Sequence, residues 1–161
     1  MFLFLIPTTF AYNYTMDTKD ILLLNLLLEN SRVSYRDLAK KAKLSLATVI
    51  THVKRLEQEG ILKKYSTELD YEKLGYDVQA LISLRISKGK LFDVEKKIAV
   101  HPNVFALYDT TGNFDALIIV KFKTRKALDG FLKKIQTYDF VERTDTKLIL
   151  NTIKERHIAV D

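Results

Sequence analysis

Two stretches of the chain carry residue types whose spacing suits recognition chemistry. The first runs from Ser45 to Glu59. On a helical wheel of about 100° per residue, Val49, Val53 and Leu56 share one side. Ala47, Thr48, Thr51, Lys54, Arg55 and Gln58 share the other, with Ser45 and His52 on the flank. Small and hydroxylated side chains reach base edges without bulk, Ala and Thr methyl groups meet thymine methyls, and Lys or Arg takes guanine or phosphate. The helix N-terminus adds backbone N–H donors toward phosphate. A solvated face on an ordinary amphipathic helix is the competing reading. The second stretch is Thr110-Thr111-Gly112-Asn113-Phe114-Asp115. An amino-acid zwitterion needs an anion for its ammonium group and N–H or hydroxyl donors for its carboxylate. Asp115 offers the first; Gly112, which permits close backbone approach, and the threonines offer the second. A structural hairpin turn with Asp115 satisfied locally is the competing reading here.

The elements that must position these residues follow from caps and periodicity. Asp17 or Thr18 caps a helix over 20–29 that has seven large apolar residues between Ile21 and Leu28, so it has to be covered on more than one side. Ser34 with Asp37 three residues later starts a short helix with Leu38, Ala39 and Ala42 on one stripe. Lys43-Leu44 makes the turn, Ser45 caps the third helix, and Gly60 stops it. Three tandem helices with a tight second turn frame the polar face of the third. Between residues 31 and 66 there are nine Lys or Arg against three acids, Arg36 and Lys43 among the nine. That concentration of charge suits a polyanion such as double-stranded DNA.

From Val78 the period changes. Val78, Ala80, Ile82, Leu84 and Ile86 alternate with more polar residues as a half-buried strand does. Leu91, Val94 and Ile98 mark a helix ending before His101-Pro102. Strands over Val104–Asp109 and Phe114–Lys123 flank Gly112-Asn113. Thr124 caps a helix carrying Leu128, Phe131, Leu132 and Ile135, and a last strand covers 144–153. The order is βαββαβ, a ferredoxin-like arrangement, so the fold class is α+β. Two helices cover one side of the sheet, which leaves Leu81, Leu107, Leu117, Ile119 and Ile149 facing away as a patch for another subunit. A two-fold dimer would set two reading helices about 34 Å apart and match a palindromic operator.

The run Asp20-Ile21, Leu38-Ala39, Leu44-Ser45, Val49, Val53 to Glu57, Gly60-Ile61 and Leu74-Gly75 resembles the DNA-binding half of the Lrp/AsnC (leucine-responsive, feast/famine) transcription regulators. Their turn T-G-x-[YF]-D is present as Thr111-Gly112-Asn113-Phe114-Asp115. The resemblance spans about residues 16–155. One departure is His52, where the family often has Arg. The resemblance implies a helix-turn-helix domain over 16–62, a connecting strand or hinge over 63–76, and an effector-binding and dimerisation domain over 77–161. It implies an amino-acid effector held by Tyr108, Thr111, Gly112, Asn113 and Asp115, with Thr144 and Thr146 from the last strand. It also implies homodimers assembling further, as far as an octamer. The DNA-facing set is then Ser45, Ala47, Thr48, Thr51, His52, Lys54, Arg55, Arg36 and Lys43.

Composition narrows the remaining choices. The 161 residues are 47% apolar and 29% charged with net charge +6, as in a globular protein. The absence of cysteine excludes disulfides, thiolate metal sites and a cysteine nucleophile, and three histidines leave little for zinc. No Gly-rich phosphate loop or nucleophile elbow is present. The reading is therefore a cytoplasmic, non-enzymatic regulator without a cofactor and without a membrane span. Met1–Ile6 is apolar but lacks the preceding Lys or Arg of a signal peptide. Residues 1–15 read as an extension upstream of a natural start at Met16, or as an apolar arm. Two alternatives stay open: a sirohaem-decarboxylase-like enzyme on the same architecture, and an architectural DNA binder without an effector.

Overall fold

A computed structural model describes residues 16–87 and 89–161; the stretch 1–15, read above as an extension, lies outside them. The described residues divide into two units, one of 16–68 with 156–161 and one of 69–155.

The first unit is helical, and each helix starts where a side chain can satisfy the free N–H groups of a first turn. Helix α1 (Thr18–Glu29) begins at Asp17 through a capping box in which the Asp20 carboxylate accepts from the Asp17 N–H. Helix α2 (Tyr35–Ala42) begins at Ser34, whose Oγ accepts from Asp37 N and donates to the Asp37 carboxylate at 2.6 Å. Helix α3 (Leu46–Gln58) begins at Ser45. Between α2 and α3 the chain reverses at Lys43, which takes a left-handed φ of 55°, and Leu44 N–H closes onto the Ala39 carbonyl at 3.0 Å. Gly60, at φ +70°, ends the third helix. Leu23, Leu27, Leu38, Ala39, Ala42, Val49 and Val53 form the core between them. Covering of α1 is incomplete: Leu23, Leu24 and Leu27 are buried, whereas Leu22 and Leu28 stay exposed. On α1, Asn25 pairs with the backbone of Val160, donating to its carbonyl at 2.9 Å and accepting its N–H at 2.8 Å. That contact brings residues 156–161 into the helical unit.

The second unit contains β1 (Val78–Ile86), α4 (Leu91–Ala99), β2 (Val104–Asp109), β3 (Ala116–Phe122), α5 (Arg125–Gln136) and β4 (Val141–Ile149). The antiparallel sheet has the order β2-β3-β1-β4. Ala80, Ile82, Leu84, Ala116, Ile118 and Val120 pack with Val94, Ile98, Leu128, Phe131 and Ile135 from the helices. Leu81, Leu117, Ile119 and Ile149 are half-buried on the other face, as their alternation requires. Leu107 is not with them. An irregularity between Val104 and Ala106 shifts the register, so Leu107 lies opposite Ile118 and packs on the helix side, while Ala106 and Tyr108 take the open face.

The last strand also starts earlier than its apolar tail indicates, at Val141, and ends at Ile149. Its length is set by β1, which pairs from Gln79 opposite Ile149 to Ile86 opposite Val141. Leu150 and Ile153, beyond that partner, are 86% and 92% exposed. Residues 63–70 form no regular element.

Glu95 on α4 lies beside Asp109, and one of its oxygens is buried without a hydrogen-bond partner. Burial first, and then the neighbouring carboxyl, raise its pKa from 4.5 to about 7. A raised carboxyl pKa favours folding of the protonated form. Its contribution is complete below the ordinary value and is lost as pH rises through about 7. Glu95→Gln, whose amide can donate to Asp109 at every pH, is expected to raise the melting temperature at pH 8 and leave it nearly unchanged at pH 4.5. Thermal melts at the two pH values test this.

Candidate nucleic-acid and ligand sites

The third helix separates its polar side chains into two groups. Ala47, Thr51 and Lys54 are exposed, and Thr48 is partly so. Ser45 is used at the start of the helix, its Oγ accepting from Thr48 N at 3.1 Å and contacting Thr48 Oγ1 at 2.8 Å. Thr51 Oγ1 donates to the Ala47 carbonyl at 3.0 Å, which leaves its methyl group as the other surface of that side chain. His52 and Arg55 are turned toward α1. His52 Nδ1 meets Asp20 Oδ1 at 2.7 Å, and the Arg55 guanidinium pairs with Asp20 Oδ2. The side chain of His52 is only 15% exposed and that of Arg55 is 43% exposed. Arg36 and Lys43 are exposed, on α2 and in the turn that follows it.

In the linear sequence Asp20 belongs to the body of the first helix. A charged residue at the head of an otherwise apolar run was the available signal, because a buried carboxylate needs cationic or N–H partners. Nothing in the linear order identified those partners as residues 52 and 55.

At the hairpin, Gly112 has φ +108°, a conformation that L side chains rarely adopt. Thr110 closes the loop, its N–H bonding to the Asp115 carbonyl and its Oγ1 to the Phe114 carbonyl, both at 2.9 Å. Asp115 Oδ2 accepts from the Ile86 N–H at 2.8 Å and has Arg85 Nε at 3.7 Å, so β1 fixes this carboxylate. Arg85 in turn donates to the Asn113 carbonyl at 3.0 Å. Beside the hairpin a cavity of about 540 Å³ is lined by Arg85, Asn113, Phe114, Arg143 and Asp145. The Arg143 guanidinium stands 6.0 Å from the centre of the Phe114 ring, and Lys147 pairs with Asp145.

Thr111, Gly112 and Asn113 are exposed on this turn, and Tyr108 is exposed on the open face of β2. Thr144 and Thr146 are not brought to the cavity. They lie opposite Leu84 and Ile82, on the helix side of the sheet, and Gln136 of α5 donates to Thr144 at 3.3 Å. Arg143 and Asp145, one residue away from each, occupy the face that the cavity uses. A strand displaced by one residue exchanges its faces completely; choosing between them requires the pairing with β1. Among the described residues no three His, Asp or Glu come together as metal ligands would, and no helix is long and apolar enough to cross a membrane.

Comparison with known proteins covers both units. A family model of the winged helix-turn-helix DNA-binding domain matches residues 16–63, and one of the Lrp/AsnC ligand binding domain matches residues 79–158. An uncharacterised HTH-type transcriptional regulator of Pyrococcus furiosus is 37% identical over 140 residues, covering 87% of this chain and 95% of the relative. Escherichia coli AsnC superposes with a TM-score of 0.84 at 30% identity, over 91% of this chain and all of that one. A transcriptional regulator of Neisseria meningitidis, solved as its complex with L-Met, superposes with a TM-score of 0.82 at 27% identity, over 91% and 97% of the two chains.

The Asp20 contacts make a stability prediction. Asp20→Asn keeps the size of the side chain but removes the charge that His52 and Arg55 face. Urea unfolding should show a loss of about 1.5–3 kcal/mol, the range for a hydrogen bond to a charged group. Thr51→Ala, which removes an exposed methyl group and a hydroxyl bonded only to the helix's own backbone, should stay within about 0.5 kcal/mol of the parent.

Proposed function

Because the chain belongs to the Lrp/AsnC family of helix-turn-helix transcriptional regulators, we propose that it reads a palindromic operator as a dimer or higher oligomer and that an amino acid modulates this binding. The observation that carries the DNA half is the division of α3. With His52 and Arg55 engaged by Asp20, the outward face holds Ala47, Thr48, Thr51, Lys54 and Gln58. That set is small enough to enter a major groove, with one long cation for a base edge or a phosphate. Arg36 and Lys43 supply backbone contacts from the preceding helix and turn, and Ser45 marks the helix N-terminus that faces phosphate. His52 and Arg55 act chiefly by holding the helix at its angle.

For the effector, the supporting feature is a cavity that offers both signs of charge. Arg85 and Arg143 suit an α-carboxylate, Asp145 suits an ammonium group, and Asn113 and Phe114 of the hairpin line it; Thr111 and Gly112 are exposed on the same turn. Asp115 serves by fixing Arg85 and the end of β1. The L-Met bound in the Neisseria relative supports an amino acid in this role. Dimerisation uses the open sheet face, where Leu81, Ala106, Leu117, Ile119 and Ile149 are only half covered. Effector bound near such contacts shifts the population of assemblies and so the operators they span.

Two measurements test this reading. In operator binding followed across about 50–200 mM salt, Lys54→Ala should weaken affinity and lower the slope of log K against log salt by about 0.9, the share of one phosphate contact. An unchanged slope with unchanged affinity would remove Lys54 from the interface. In a thermal-shift screen of the twenty amino acids, at least one should raise the melting temperature, since a ligand held only by the native state stabilises it by about 2.7 kcal/mol at 100 times Kd. Asp145→Asn and Arg143→Ala should each abolish that shift. A screen in which no amino acid stabilises the protein favours the effector-free architectural reading.

A further inference from the structure

The sheet domain has a second cavity at the opposite end of β2 and β3 from the hairpin. It measures about 480 Å³ and is built from the residues entering β2, those leaving β3, and one side of α5. Its charge is of one sign. Lys123 and Lys134 contribute ammonium groups, His101 and Asn103 line it as well, and no carboxylate does.

His101 has a defined proton arrangement. The Asn103 N–H donates to its Nδ1 at 3.2 Å, so the neutral ring carries its proton on Nε2 and is a donor there. Burial, and then the nearby charge of Lys134, push its pKa below the ordinary value, which favours the neutral ring. The ring packs against Phe131, 4.6 Å between centres, and is held in place by that contact. On α5, Gly130 leaves the wall open: a Cβ added there meets nothing within 4 Å. Lys123, whose ammonium stands 5.2 Å from the centre of the Tyr76 ring, Lys134 and an oriented imidazole N–H, with no acid among the lining residues, form a receptor that has donors and lacks an acceptor charge. The cavity at the hairpin differs, since Asp145 stands there with Arg85 and Arg143.

We propose that the cavity bounded by His101, Lys123, Gly130 and Lys134 is a second ligand site, taking a small organic dianion of the dicarboxylate or phosphate-monoester type. Its volume lies in the range of small-molecule sites. A zwitterion is disfavoured because its ammonium group would face Lys123 and Lys134 with nothing to accept it. The site thus reports on a different class of metabolite from the amino-acid cavity, and it does not depend on that cavity being occupied.

Isothermal titration of the full chain at constant ionic strength tests the assignment. The probes are succinate, 2-oxoglutarate, glycerol phosphate and inorganic phosphate, with L-glutamine as the zwitterionic control. At least one dianion should bind, and the stronger class identifies the source. Lys123→Gln and Lys134→Gln should each weaken binding by about tenfold or more, near the value of one charge-assisted hydrogen bond. Lys134→Arg should retain binding. Gly130→Leu, at an exposed helix position with open space, should remove it while leaving the thermal response to amino acids intact. The proposal is overturned if no dianion binds below about 10 mM, or if binding is undiminished in both glutamine variants.

Discussion

A carboxylate cut off from water must be matched by donors, and in the helical unit Asp20 meets that requirement with three of them. Its oxygens receive the Asp17 N–H, His52 and the Arg55 guanidinium. Leaving such a group unpaired is far costlier than the net gain from pairing it, so the start of α1 and the second half of α3 are forced into one relation. The apolar core of Leu23, Leu38, Val49 and Val53 supplies cohesion but little directional constraint. The Asp20 contacts provide direction. They also determine which polar residues of α3 remain on its outer surface, the surface proposed above to meet a duplex.

The local signals in the sequence were the most readable. Ser34, Ser45 and Thr124 cap the helices they were expected to cap, because the capping bond spans only three residues and its geometry is independent of the rest of the fold. The βαββαβ order was equally legible from the change of period. The features that escaped depend on partners distant in sequence. Leu107 fits an alternation counted from Val104, and only the register shift before Ala106 reverses its direction. The extent of β4 depends on where β1 can pair. Asp20 resembles a helix-start residue until its partners at 52 and 55 are brought to it. At the cavity beside the hairpin the turn was readable as a motif, whereas Arg85, Arg143 and Asp145 became visible only with the strand pairing.

Within the sheet domain, β3 connects two differently organised ends. At its beginning the 110–115 turn is tied to β1 through Asp115. Near its end Lys121 is buried, with its ammonium 4.7 Å from the Tyr71 ring centre, 4.3 Å from that of Phe105, and 3.3 Å from the Glu155 carboxylate. Cation–π contacts strengthen when desolvated, so this arrangement fixes the segment leading into β1, and the segment leaving β4, onto one strand.

The pairing of Asn25 with Val160 joins residues 135 positions apart in the chain. A ribosome that has synthesised α1 to α3 has not yet made the residue that completes their unit, although chains emerging from it begin to fold from the N-terminus. A chain that stops short of Val160 would carry α1 to α3 without the Asn25 contact. The helical unit gains this contact only once residue 160 has been made.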